Sequence, residues 1–286
     1  MLNNKIAVII AGILLGLIGI WVKLINKQVP IMTLNWARLT IAFLFFLLFL
    51  APFYRKKIKK FKDIKGAILV GFLMAVAFSL FSTANFYAPA TNVALITSLY
   101  AVITPIFAWL ILKEKLSTKK IIAIFIALTG LIIINPLKTQ YLTGNIISLI
   151  HPFIFSLFLV YLRKKEKGQD IASMFWFFLF ATIFLIPFPF IYGLGNINQS
   201  IIYILLLGVL STAVPYILLA YGLEKVPAPQ VSIIILVTLP LSAITFSYLV
   251  FRDIASSTIY FGGALLLIAG AIALWNEKHK RYIAHF

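Results

Sequence analysis

The 286-residue chain contains no cysteine, which excludes disulfides, thiolate metal sites and cysteine nucleophiles. Acid is almost as scarce. There are seven Asp and Glu (Asp63, Glu114, Glu166, Asp170, Glu224, Asp253 and Glu277) against 25 Lys and Arg. Charged residues of both signs make up 11% of the chain and apolar ones 63%, where a soluble domain carries about 25% and about 45–50%. No soluble fold of this length hides so much apolar surface. Also missing are a G-x-x-x-x-G-K-[ST] loop, which leaves direct ATP drive without support, and any H-E-x-x-H or His/Cys cluster for a metal. Two of the three histidines, His279 and His285, sit in the tail. No cofactor is expected. With every acid at a loop or segment end, no Ser, His and acid arrangement forms at membrane depth, so no enzyme is expected either.

What the chain does have is apolar segments of bilayer length. About 20 apolar residues cross the hydrocarbon as a helix. Ten such segments fit, near 6–25, 31–52, 66–87, 91–112, 120–137, 142–162, 171–192, 200–222, 228–251 and 258–275. The predicted fold class is therefore an all-α membrane protein of ten transmembrane helices. The first run, Ile6 to Ile25, exceeds a signal-peptide core of about 7–15 residues and lacks an Ala-x-Ala-like cleavage site, so it reads as a retained span. Short turns such as Lys27-Gln28-Val29-Pro30, Asn135-Pro136 and Pro227-Ala228-Pro229 join the segments, and none has room for a soluble domain.

The net charge of +18 suggests nucleic acid only when it forms a basic face on a folded domain. Here the cations sit in short loops, and nucleic acid is not an expected partner. Membrane lipids and a small-molecule substrate are. With the N-terminus inside, alternate loops on the inner side hold 20 Lys and Arg, the outer loops hold four (Lys23, Lys27, Lys138 and Arg252), and Arg38 lies within a span. That bias predicts a multi-pass protein of the cell membrane with both termini cytoplasmic.

The chain also resembles itself. Lys113-Glu114-Lys115-Leu116-Ser117, followed by a helix ending Leu128-Thr129-Gly130, recurs as Phe251-Arg252-Asp253-Ile254-Ala255 followed by Ile268-Ala269-Gly270. Upstream, Tyr87-Ala88-Pro89-Ala90-Thr91 faces Val226-Pro227-Ala228-Pro229-Gln230 at the same spacing of 139 residues. This divides the chain into repeats at 1–138 and 139–286, with five spans in each. Five is odd, so the second copy enters the membrane from the opposite side, an arrangement found in secondary transporters.

These residues resemble the ten-span EamA-type transporters of the drug/metabolite transporter superfamily. Lys113-Glu114-Lys115-Leu116 and the small-residue helix ending in Gly130 carry the likeness, which covers Ile6 to Trp275. The resemblance implies export or exchange of small metabolites. It also implies a central cavity lined by spans 1 to 4 and 6 to 9, with spans 5 and 10 packed outside it. Two departures stand out. Arg252-Asp253-Ile254 replaces the usual Gly-Glu, and Pro105 in span 4 sits one turn later than its counterpart Pro240 in span 9.

Ionisable groups at membrane depth are costly, so each is a functional candidate. Arg38 is the one firm intramembrane cation, about 10 Å deep at 1.5 Å per residue. Its planar fork suits a substrate carboxylate or phosphate, and snorkelling or bonding to neighbouring carbonyls are the alternatives. His151, beside Pro152 at mid-span, either titrates in the transport cycle or is a neutral ring bonded to a facing Ser, Thr or carbonyl. Pro105, Pro152, Pro215 and Pro240 each free a carbonyl near the middle of spans 4, 6, 8 and 9.

Thr97, Tyr100 and Thr104 share one face of span 4 at i, i+3 and i+7, and Ser211, Thr212 and Pro215 share one of span 8. The predicted substrate-binding set is Arg38, Thr97, Tyr100, Thr104, His151, Ser211, Thr212 and Tyr216. Back-bonding of each Ser or Thr to its own helix is the competing explanation. The small residues of spans 5 and 10, such as Ala123, Ala127, Gly130, Gly262, Gly263 and Gly270, predict close helix packing, within one subunit or across a homodimer. The expected function is transport of a small metabolite by alternating access, amino acids first. A lipid or lipid-phosphate flippase and, further off, an intramembrane enzyme with only His151 to serve it are the rival readings.

Overall fold

The computed structural model describes residues 3–25, 27–113, 117–134, 140–164, 171–223, 225–226 and 228–274. Several predicted landmarks lie outside them: Glu114 to Leu116, Asn135-Pro136, Lys138, Lys165 to Asp170, Glu224, Pro227, and the tail from Trp275 through Glu277, His279 and His285.

Among the described residues there is no strand. A backbone in hydrocarbon must satisfy its own hydrogen bonds, and a helix does so within one segment. Ten helical runs follow one another: α1 (Asn4–Ile25), α2 (Ile31–Lys59), α3 (Ile64–Tyr87), α4 (Ala90–Leu112) and α5 (Thr118–Ile134), then α6 (Leu142–Lys164), α7 (Ile171–Leu185, continuing as Pro187–Tyr192), α8 (Ile197–Leu205, running through to Val214–Leu223), α9 (Ala228–Phe251) and α10 (Ser257–Leu274). Eight are long and apolar enough to cross a membrane on that ground alone. The other two, α5 and α10, are 17 and 18 residues long, about 26 Å of rise. Large apolar side chains cover the outside, among them Phe125, Ile132, Phe190, Ile202 and Phe261. Such a surface needs lipid against it, and the chain is an integral multi-pass membrane protein.

Connections gather on two faces. Gln28 accepts from the Asn196 backbone N–H at 2.8 Å, Thr33 donates to the Gly193 carbonyl at 2.8 Å, and Lys23 meets Asp253 at 2.6 Å. These join the first, seventh and ninth connections on one face. Gly193 and Gly195 take φ of 73° and 58°, and a Cβ on Gly195 would lie 2.4 Å from the Gln28 carbonyl, so only glycine lets this loop close. On the other face, which carries the Lys/Arg-rich connections, Asn4 Nδ2 donates to the Tyr221 carbonyl at 2.7 Å and Trp176 Nε1 to that of Ile58 at 3.3 Å.

The packing of the halves has the symmetry of a repeat. α3 packs on α6 as α8 packs on α1; α1 meets α9 as α6 meets α4; α3 meets α7 as α8 meets α2. α2 with α7, α4 with α9 and α5 with α10 are each their own counterpart. Lys113 and Arg252, which stand 139 positions apart, end α4 and α9 with φ of 58° and 57°. Two non-glycine residues in the left-handed region at the same place in each half are a shared cap. The Arg252-Asp253 departure therefore leaves the left-handed cap at this one position unchanged.

Three local features depart from ten plain helices. α2 runs past the expected end at 52 to Lys59, because its last two turns carry Arg55, Lys56, Lys57 and Lys59, which need water. α4 tightens at Ser98–Leu99, where the Ser98 and Leu99 N–H groups bond three residues back and the Ser98 hydroxyl takes the Leu95 carbonyl at 2.5 Å. Two π-type stretches, Phe46–Leu50 in α2 and Leu206–Ala213 in α8, each end just before a proline, Pro52 and Pro215. A residue without an N–H breaks the i→i−4 ladder there anyway, so the extra residue costs little.

Candidate functional site

A cavity of about 200 Å³ lies where the halves meet. Its walls come from α1 (Leu15, Ile18), α2 (Arg38), α3 (Phe78, Phe81), α4 (Thr97, Tyr100), α6 (His151, Phe155, Phe158, Leu159), α7 (Met174), α8 (Tyr216, Leu219) and α9 (Val231, Ser232, Ile235, Leu239). Among the described residues α5 and α10 contribute nothing to it. From Arg38 and His151 at mid-span it reaches along the end of α6 and the starts of α7 and α9, towards the Lys/Arg-rich face. The opposite side is closed: Trp21 Nε1 donates to Ser211 Oγ at 2.9 Å, and Lys23 pairs with Asp253, which also accepts from Ser247 Oγ at 3.1 Å.

Arg38 is 2% exposed, so it does not snorkel. Nε donates to Thr212 Oγ1 at 2.7 Å and Nη1 to Ser82 Oγ at 2.8 Å, with the Phe78 carbonyl further off at 3.5 Å. The guanidinium carbon lies 5.2 Å from the centre of the Phe78 ring, a cation–π contact. Phe78 and Ser82 share a face of α3 one turn apart. Thr212 belongs to the π-type stretch of α8, and its hydroxyl donates to the Leu207 carbonyl, five residues back, at 2.7 Å. That bond turns its oxygen lone pairs towards α2. One helix of the first half, α3, and one of the second, α8, thus fix two of the three guanidinium nitrogens. Nη2 has no acceptor among the described residues, and no carboxylate lines the cavity there.

His151 is 5% exposed and lies with its ring nearly parallel to Phe155, 5.2 Å between centroids and 18° between planes, with Phe81 at 5.4 Å. Its Nδ1 has no hydrogen-bond partner among the described residues. Tyr100 stands edge-on to Phe155 at 5.3 Å, and Tyr216 lies against Phe78 at 5.2 Å. The result is an aromatic-walled chamber with one fixed cation and a few polar tips.

Of the eight residues singled out from the sequence, Arg38, Thr97, Tyr100, His151 and Tyr216 line this cavity, and Thr104, Ser211 and Thr212 do not. Thr97 and Tyr100, on either side of the tightening at Ser98–Leu99, line the cavity, whereas Thr104, one regular turn beyond Tyr100, does not. The Thr104 hydroxyl, on the residue immediately before Pro105, lies 2.6 Å from the Tyr100 carbonyl and 3.0 Å from Ser156 Oγ. The Thr97 hydroxyl is back-bonded to the Val93 carbonyl at 2.7 Å, which leaves mainly its methyl group for a ligand. Ser211 is held by Trp21, and Thr212 acts through Arg38. The aromatic walls, Ser82 and Ser232 had not been singled out. For Ser82 there was a signal: a buried guanidinium needs acceptors, and α3 offers few hydroxyls at that depth.

Ten helical runs among the described residues, packed as two similar sets of five around a cavity, define a polytopic membrane protein. The sequence profile described as "EamA-like transporter family" matches residues 5–135 and again 142–275, and the chain belongs to that family. It is 22% identical over 276 residues to an "Uncharacterized transporter" of Archaeoglobus fulgidus, covering 96% of this chain and 97% of the relative. It is 28% identical over 256 residues to "Uncharacterized transporter YdfC" of Bacillus subtilis, covering 84% and 81%. A solved crystal structure superposes with a TM-score of 0.67 over 94% of this chain and 96% of its own, at 13% identity, which speaks for the fold alone.

Proposed function

We propose that the protein is a secondary transporter that exports or exchanges a small metabolite of amino-acid size, its two inverted halves rocking about the central cavity so that it opens to each side in turn. The observation that carries this is Arg38: a buried cation lining a chamber at the seam between the halves, with no counter-ion and one nitrogen unpaired among the described residues. The loop charges support a cell-membrane orientation with both termini cytoplasmic, which makes the conformation described here the one whose cavity reaches towards the cytoplasm. A volume of about 200 Å³ favours a small solute over a phospholipid, which reduces the appeal of a flippase.

Counterflow tests the proposal. Liposomes holding the purified protein and loaded with unlabelled amino acids, organic anions or nucleoside-type solutes are expected to accumulate the matching labelled solute, and failure across all three groups would sink it. A second arm uses the absence of native cysteine. Tyr100→Cys and His151→Cys should react with aqueous thiol reagents, whereas Thr104→Cys, outside the cavity, should not.

A further inference from the structure

The same cavity carries information about which solute it takes, and the inference below rests on its being the transported solute's site. Its lining has one formal charge, that of Arg38, and among the described residues no carboxylate offsets it. An unpaired charge at this depth is expensive, so the best occupant brings a single negative charge. A dianion would leave one charge uncompensated. A zwitterion would place an ammonium group within a few bonds of its own carboxylate, close to the guanidinium and with no acid to meet it.

Donors are arranged accordingly. Nε and Nη1 are spent on Thr212 and Ser82, so the two N–H groups of Nη2 remain for an incoming acceptor. The Tyr100 and Tyr216 side chains line the same chamber, and no bond from either hydroxyl to a protein group is recorded among the described residues. Three donor groups thus face one small space, a set suited to a carboxylate. Around them the walls are rings: Phe78, Phe81, Phe155 and Phe158, with the His151 imidazole lying parallel to Phe155. Such walls favour a flat, apolar body.

We infer that the cavity selects a small aromatic monocarboxylate, an arylacetate-like anion, and discriminates against the corresponding amino acid. Size agrees, since a single ring with a short acid arm suits a chamber of about 200 Å³ and a lipid does not.

The test separates binding from transport. In detergent, thermal stabilisation and titration calorimetry are run with phenylacetate, phenylacetamide, phenylalanine, phenethylamine and phenylsuccinate. Phenylacetate is expected to bind, with the other four at least about tenfold weaker, and Arg38→Gln should weaken phenylacetate binding by about thirtyfold or more. Ser82→Ala keeps the guanidinium and serves as the milder variant should Arg38→Gln not fold; it is expected to weaken phenylacetate several-fold and to leave phenylacetamide unchanged. Phenylalanine or phenethylamine binding as tightly as phenylacetate overturns the inference, as does no binding by any of the five. The two readings fail separately. Counterflow of phenylalanine but not phenylacetate keeps the transporter and sinks this selectivity, whereas phenylacetate binding without counterflow keeps the selectivity and sinks the transporter.

Discussion

α2 and α7 occupy equivalent places in the two halves and pack against one another, yet they bring opposite chemistry to the centre. α2 carries Arg38. At the same offset of 139 positions that relates the helix caps, α7 carries Phe177, buried in an apolar cluster with Phe46, Phe158 and Phe178. The other place where the halves meet behaves differently. Where α5 crosses α10, Gly130 packs on Gly262, a Cβ on either lying 2.7 Å or 2.6 Å from the other's carbonyl oxygen, and at the same offset their counterparts are the small, fully buried Ala269 and Ala123. The repeat has kept the scaffold in duplicate and let the site diverge. A close-packed crossing needs small residues from both sides, whereas a cavity for one solute needs its charge once.

The largest expected effect is at Arg38. Its replacement by Gln is expected to cost about 2–5 kcal/mol of binding to an anionic solute, read as the rise in half-saturating concentration in counterflow, while Phe177→Leu leaves that value unchanged. Equal losses at the two positions would dissolve the contrast between α2 and α7. Next comes Thr212→Val, which removes the acceptor of Arg38 Nε and the bond that orients it. A loss of about 1.5–3 kcal/mol is expected in stability or solute binding. At the α5–α10 crossing, Gly130→Ala and Gly262→Ala should each lower stability by about 1–3 kcal/mol through overpacking and by similar amounts, with solute binding untouched. Melting curves showing one tolerated and the other not would contradict the symmetric seam. The smallest effect belongs to the Lys23–Asp253 pair, whose side chains are 24% and 37% exposed. Lys23→Met should change stability by no more than about 1 kcal/mol, and a larger shift would mean that the pair does more than close one face.

The helices were legible because length and hydropathy in a bilayer leave few alternatives, and the repeat because its turn residues return at a fixed offset. The rank of Arg38 was legible too, since one cation among apolar segments is conspicuous. Its partners were not: Ser82 and Thr212 lie 44 and 174 positions away on helices whose facing sides depend on packing. Nor was the fate of Thr104, one turn beyond Tyr100 on the same stretch of helix, because its hydroxyl meets Ser156 Oγ on α6, 52 positions away. Helical periodicity read from sequence assumes regularity, and α4 and α8 are irregular near the site. The aromatic walls were hidden for a plainer reason. With 26 Phe in the chain, composition gives no hint of which ones face the cavity and which face lipid.

The acid-free chamber also has an electrical consequence. With Arg38 as the one formal charge among the described residues of its lining, the empty carrier of the proposed cycle would present a positive centre to the membrane field, and one loaded with a monoanion would present none. Moving one elementary charge across 100 mV is worth about 2.3 kcal/mol, so in the proposed alternating-access cycle the share of the field that Arg38 crosses would be felt by the unloaded form alone. With the proposed orientation, a negative cell interior would hold the empty cavity towards the cytoplasm. The resting potential would then act as a ratchet on the return stroke, with no coupling ion required.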